Sequence, residues 1–502
     1  MDAPSTAIVA EDVLDTGEAG GQAIRGGALR AGSYLAGTLL ALVSVPLLVR
    51  HLGVVEFGRY FTVVSLIGLV GGVTDVGLGG VVLREYTVRA GPDRDAFMRS
   101  ILGARLALTS VGVVAAVLFA LVAGYSSALV LGTGLAGVGL LLSAAQHTYA
   151  VPLAAGLRLG RLTLTELLGG VMVTSLVVAL VLASAGTAAF LAVPIPVGLV
   201  VVGTTMVFVR GQIPLRPSFA FGELIALVRE TLPVAAATVM HTLYARVTIV
   251  LMSLIATDVA TGVFGTALRV VEVAAGLPVA LVATTFPILA RAARDDHARL
   301  GYALQRVLEI ALIGGVGLSL GVGLGADTII SLLGGEGARR AAEVLRILAP
   351  ILAVVFLTTS WQHALFALGR YRALLAINSV AFAFMVPAVL VLVPLMAAKG
   401  AAIAVLTGET VLMLLSSLAL LRSRRGLRPG LRTVPRVLLA AAAGLAIGLV
   451  PALPVVVATL AGLTAYGVVL AVSGAVPGEL REALMRPLVR RRSSTSGASA
   501  PR

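Results

Sequence analysis

The run LLAINSVAFAFMVPAVLVLVPLMAAKGAAIAVLTGETVLMLLSSLALL, Leu374 to Leu421, carries two ionisable side chains in 48 residues, Lys399 and Glu409. A membrane-crossing helix needs ~20 predominantly apolar residues. The run is long enough for two, 374–395 and 400–421, with Lys399-Gly400 at the turn between them. Its apolar residues are continuous rather than alternating, which excludes the strands of a lipid-embedded barrel and leaves helices.

The rest of the chain repeats this pattern. Of 502 residues, 58% are hydrophobic and 12% charged, against ~25% charged in soluble proteins. Mean hydropathy is +1.03. Too few charges are present to cover a water-soluble globule, so a soluble enzyme, a disordered chain and a coiled coil are excluded. Apolar spans read at 28–49, 60–82, 101–123, 127–150, 164–185, 188–209, 233–256, 263–289, 305–326, 347–368, 374–395, 400–421, 437–453 and 455–475. The expectation is an all-α polytopic membrane protein of about 14 transmembrane helices.

Charge placement gives these spans a direction. Lys and Arg number 38 against 24 Asp and Glu, a net charge of +14. With the N-terminus in the cytoplasm, thirty of the 38 basic residues fall on inside segments. Short inside loops of membrane proteins are enriched in Lys and Arg. The excess is thus an orientation signal, and no nucleic-acid partner is expected. The expected organisation is a polar cytoplasmic tail at 1–24, helices 1–6 at 25–220, helices 7–12 at 221–424, a C-terminal helix pair at 425–476 and a basic cytoplasmic tail at 477–502. Gly222–Glu230 and Glu479–Arg486 read as amphipathic surface helices, the second followed by Arg490-Arg491-Arg492.

Several chemistries are absent from the sequence. There is no Cys, so no disulfide, thiolate metal site or Cys nucleophile. The five His are scattered, which argues against zinc. The single Lys, Lys399, is followed by Gly400 rather than Ser or Thr, so no ATP-binding P-loop exists. No cofactor and no enzymatic activity are expected. Outside breaks are short, the longest about 327–346, leaving little room for the exoplasmic catalytic loop of a glycan polymerase or ligase.

A weak repeat joins His51–Tyr60 to Ala256–Phe264, placing Gly58 opposite Gly262 at an offset of 204 residues. It reads either as two lobes related by an axis along the membrane normal or as a coincidence of glycine-rich turns.

Five ionisable residues stand out inside spans, Asp75, Arg246, Arg269, Glu272 and Glu409, while Glu166 and Glu309 sit near cytoplasmic ends. Charges at bilayer depth are costly and face a cavity or a partner. Arg246 and Arg269 are read as an anion-binding pair, because guanidinium matches phosphate bidentately. The bland alternative pairs Arg269 with Glu272, three residues on along the same helix face, and Arg246 with another carboxylate. Asp75, Glu272 and Glu409 are read as ion-coupling groups or as structural partners.

The segment Pro46–Tyr60, followed by Thr74-Asp75-Val76-Gly77 and Arg84-Glu85, resembles the start of Wzx-type polysaccharide flippases. These belong to the multidrug/oligosaccharidyl-lipid/polysaccharide exporter superfamily. Val344–Pro350, Ala367–Arg370, Asn378, Pro394, Gly400–Ala402 and Glu409 continue the resemblance through about residue 425. One departure is Thr248, which stands where the family's Arg-x-Asp pattern after Arg246 has Asp. The resemblance implies two six-helix lobes around a central cavity, plus two C-terminal helices. It implies flipping of an undecaprenyl-pyrophosphate-linked oligosaccharide across the plasma membrane by alternating access. Its partners would be that lipid-linked substrate, the bilayer and polysaccharide assembly enzymes. A lipid II flippase or a multidrug exporter of the same superfamily is the nearest alternative.

Overall fold

The computed structural model describes residues 17–75, 78–213, 216–219, 222–295, 297–423, 432–451 and 453–475. Residues 1–16 of the polar tail, the 424–431 linker and the basic tail with its amphipathic helix at 479–486 lie outside the described residues. Every regular element among the described residues is helical.

Among the described residues, eleven continuous helical elements are long and apolar enough to cross a membrane, where hydropathy leads one to expect about fourteen spans. The difference has a local cause. Helix Gly17–Asp75 runs through two expected spans and breaks at Gly53 (φ 70°, ψ 172°), a region of backbone space that is essentially glycine-only. Helix Tyr371–Ser423 likewise merges two, breaking at Ala397. There the chain doubles back so tightly that a Cβ on Gly400 would lie 2.0 Å from the Leu392 carbonyl oxygen. Helix Thr433–Gly448 is apolar but short.

Large apolar side chains point outward: Val122 is 89% exposed, Val472 83% and Leu182 82%. Such an exterior suits hydrocarbon and would drive aggregation in water.

The chain divides into two compact units, residues 1–44 with 74–231, and residues 45–73 with 232–502. In the first, Val82, Tyr86, Phe97, Ile101, Leu102 and Leu153 form a core. Guanidiniums close its polar edge: Arg89 stacks over Phe97 at 4.3 Å and Arg94 over Tyr86 at 4.9 Å. Small residues bring its helices together, as where a Cβ on Gly139 would lie 2.4 Å from Pro194.

In the second unit, helices Thr433–Gly448 and Val455–Val472 cross at Gly444 and Gly462. A Cβ on either would meet the other's carbonyl oxygen, at 2.9 and 2.7 Å. This pair is fixed to helix His297–Leu324 by Tyr466 Oη, which donates to the Ile313 carbonyl at 2.8 Å. The same unit contains the repeat equivalents, and they touch. A Cβ on Gly58 would sit 2.8 Å from the Asp258 carbonyl oxygen, and one on Gly262 1.8 Å from that of Val54. Val54 and Asp258 are themselves 204 residues apart, so the contact is reciprocal, as about a two-fold axis. Coincidence of two turns does not produce that reciprocity.

Candidate functional site

Arg246 lies on helix Gly222–Ile255, nine residues before its C-terminal end. At 1.5 Å per residue that is about 14 Å, near the middle of the 232–255 span. The next helix, Asp258–Asp295, carries Arg269 and Glu272. Arg246 Nη1 donates to Glu272 Oε1 at 3.0 Å. Arg269 Nη1 donates to Glu272 Oε2 at 2.9 Å. One carboxylate therefore bridges two guanidiniums. The expected pairing of Arg269 with Glu272 is present, but Arg246 shares that same acid instead of taking another carboxylate, so the set carries an excess positive charge.

The set is accessible. Side-chain exposure is 35% for Arg246, 38% for Arg269 and 26% for Glu272. Each arginine has five donors and commits one nitrogen to Glu272, so both retain forked N–H groups for an anion. Space for Arg246 comes from Gly68, whose Cβ would lie 3.6 Å from Arg246 Nε. One turn along, a Cβ on Gly72 would collide with Thr242 at 2.3 Å, which fixes the register of these two helices.

The other sequence candidates are placed elsewhere. Asp75, in the first unit, accepts from Arg105 Nη2 at 2.5 Å. The Arg105 side chain is only 5% exposed, and its Nη1 reaches Thr148 at 3.4 Å. Asp75 thus neutralises a buried guanidinium, a structural pairing. Arg105 falls within the expected 101–123 span, and that position is its signal in the sequence. Glu409 lies in the second unit and interacts with the buried Tyr244 hydroxyl. Thr248, at the departure from Arg-x-Asp, is buried at 3% exposure. Arg59 pairs with Glu56 at 2.6 Å and with Asp258 at 2.9 Å beside the Gly58–Gly262 contact. Among the described residues, no three His, Asp or Glu side chains converge as a metal site.

A family model described as polysaccharide biosynthesis protein matches residues 47–341, more than half of the chain. The chain belongs to this polysaccharide biosynthesis protein family. Its members' expected architecture is seen in solved structures. A lipid II flippase, MurJ, in an inward-closed conformation superposes with a TM-score of 0.71 at 12% identity, covering 93% of this chain and 100% of that one. An inward-facing multidrug resistance MATE transporter of the MOP superfamily gives 0.61 at 15%, covering 76% and 93%. A mutant of the Vibrio cholerae MATE transporter VcmN gives 0.55 at 14%, covering 81% and 98%. At these identities the likeness establishes the fold alone, one shared with MurJ and the MATE transporters. No curated protein sequence matches. This polysaccharide biosynthesis family member is a multi-pass membrane protein with an exporter fold.

Proposed function

We propose that the protein flips an undecaprenyl-pyrophosphate-linked oligosaccharide across the plasma membrane for cell-surface polysaccharide biosynthesis. The observation that carries this reading is the doubly shared Glu272, which leaves Arg246 and Arg269 with a net positive charge near mid-membrane. An accessible cationic site at this depth repels the cationic cargo of many drug exporters and attracts pyrophosphate. Family membership adds the polysaccharide setting.

In this reading helices 1–6 (25–220) and helices 7–12 (221–424) act as two lobes around a central cavity, with both termini in the cytoplasm. The headgroup binds from the inside, while the lipid tail stays in the bilayer. Closure carries negative charge outward, a step that an inside-negative potential favours by ~2.3 kcal/mol per charge per 100 mV. The emptied cationic site is drawn back by the same field. Polysaccharide assembly enzymes supply the substrate inside and consume it outside.

The test is export in cells whose only copy is a variant. Arg246→Ala should leave the protein in the membrane at normal abundance, while lipid-linked oligosaccharide accumulates on the inner leaflet. Export at the wild-type rate refutes the role. Accumulation of lipid II in place of the surface-polysaccharide intermediate assigns the protein to the lipid II pathway instead.

A further inference from the structure

Toward the inner end of the same helix, about 7.5 Å along the axis from Arg246, lies a cavity of about 510 Å³. That volume falls within the ~300–1,000 Å³ of small-molecule sites. Among the described residues its polar lining is Thr238, His241, Gln362, His363, Tyr371 and Asn378, with no carboxylate and no guanidinium. An apolar surface studded with uncharged hydrogen-bonding groups is costly inside a membrane bundle unless they meet partners.

Several of these groups are pre-set. Asn378 Nδ2 donates to the Leu374 carbonyl at 2.8 Å, which turns its Oδ1 toward His241 Nδ1 at 3.4 Å. With an acceptor opposite Nδ1, that nitrogen carries the proton, leaving Nε2 as an acceptor on an exposed ring. Gln362 Nε2 has no acceptor among the described residues. Phe366 and Tyr371 meet edge to face at 5.1 Å, giving the cavity an aromatic wall. Neutral donors and acceptors beside aromatic faces match the hydroxyls and C–H faces of a sugar ring.

We propose that this cavity is a saccharide subsite, holding a short uncharged sugar portion of the cargo while its acidic portion sits at Arg246 and Arg269. The inference rests on the flippase reading above and deepens it. The inner-side position follows the order of the cargo itself: lipid in the bilayer, pyrophosphate at the arginines, sugar farther toward the cytoplasm.

The single Trp of the chain, Trp361, is buried beside Gln362 in sequence and supplies a fluorescence signal. Full-length protein in nanodiscs is titrated with farnesyl diphosphate and with farnesyl diphosphate bearing N-acetylglucosamine, glucose or galactose. Wild type should bind at least one sugar-bearing lipid more tightly than the bare diphosphate. Asn378→Leu and Gln362→Leu should each weaken that lipid about tenfold, the loss of one well-made hydrogen bond, and leave farnesyl diphosphate unchanged. Arg246→Ala should weaken both. Equal weakening of both ligands by the Leu variants, or of neither, overturns the subsite, as does equal wild-type binding of all four lipids; the arginine reading survives each of these. Wild type that binds none of the four overturns the flippase reading as well. Should Asn378→Leu not fold, Gln362→Leu decides alone.

Discussion

At the scale of single residues, the chemistry turns on how charges inside the bilayer are divided. Glu272 is shared between two arginines, so neither guanidinium is fully neutralised. Glu272→Gln keeps the shape and removes the negative charge. Farnesyl diphosphate should then bind several-fold tighter, with a steeper loss on adding salt, and export should slow because release is harder; titration at two ionic strengths checks the first part. Arg105 is the opposite case, a buried cation matched by one acid. Asp75→Asn should lower thermal stability in detergent by about 1–3 kcal/mol, the cost of an under-satisfied buried charge. The double variant Asp75→Asn with Arg105→Met should recover much of that loss, since deleting both members of a buried pair is often near neutral. A double variant as unstable as Asp75→Asn alone would show that Arg105 acts through packing. Of these groups, Arg246, Arg269, Glu272 and Asp75 stand out in the sequence as charges inside apolar runs. The polar cavity does not, because a lone His, Asn or Gln in such a run has no sequence mark of its neighbours.

At the scale of helices, backbone contact decides which pairs meet. The reciprocal approach of 54–58 and 258–262 brings carbonyls to within 1.8–2.8 Å of where Cβ atoms would be. No rotamer change relieves a backbone clash, so Gly262→Ala must separate the helices, at about 1–3 kcal/mol by analogy with overpacked cores. Gly203→Ala, with nothing within 4 Å of its Cβ, is the control and should melt like wild type. A Gly262→Ala melting curve unchanged from wild type would mean that the two helices are not in this contact. Hydropathy located most of the spans but not the form of the junctions between them. The breaks at Gly53 and Ala397 are local dihedral events that a sliding apolar pattern does not resolve.

At the scale of the whole molecule, the bias of thirty basic residues to one side predicts an orientation with the N-terminus in the cytoplasm. The absence of Cys makes this directly measurable. In intact cells, a membrane-impermeant maleimide should label Ser126→Cys and Gly186→Cys. Arg158→Cys and Arg372→Cys should label only after permeabilisation. Labelling of all four from the same side would break the alternation on which the proposed inward binding and outward release depend.

Composition and hydropathy alone were enough for a helical membrane protein, because in hydrocarbon every backbone polar group must be satisfied within its own segment and the solvent writes that demand into each span. The order of short motifs was enough for the superfamily. What the tertiary structure decided was pairing: that Arg246 and Arg269 converge on one carboxylate, that Asp75 belongs to Arg105, that Gly58 and Gly262 meet, and that six neutral polar groups line one cavity. Those facts join residues up to about two hundred positions apart. A membrane helix shows its lipid-facing character in its own sequence, but which side chain it meets is fixed by crossing and register, and register is set by small residues whose partners are known only when the chain is folded.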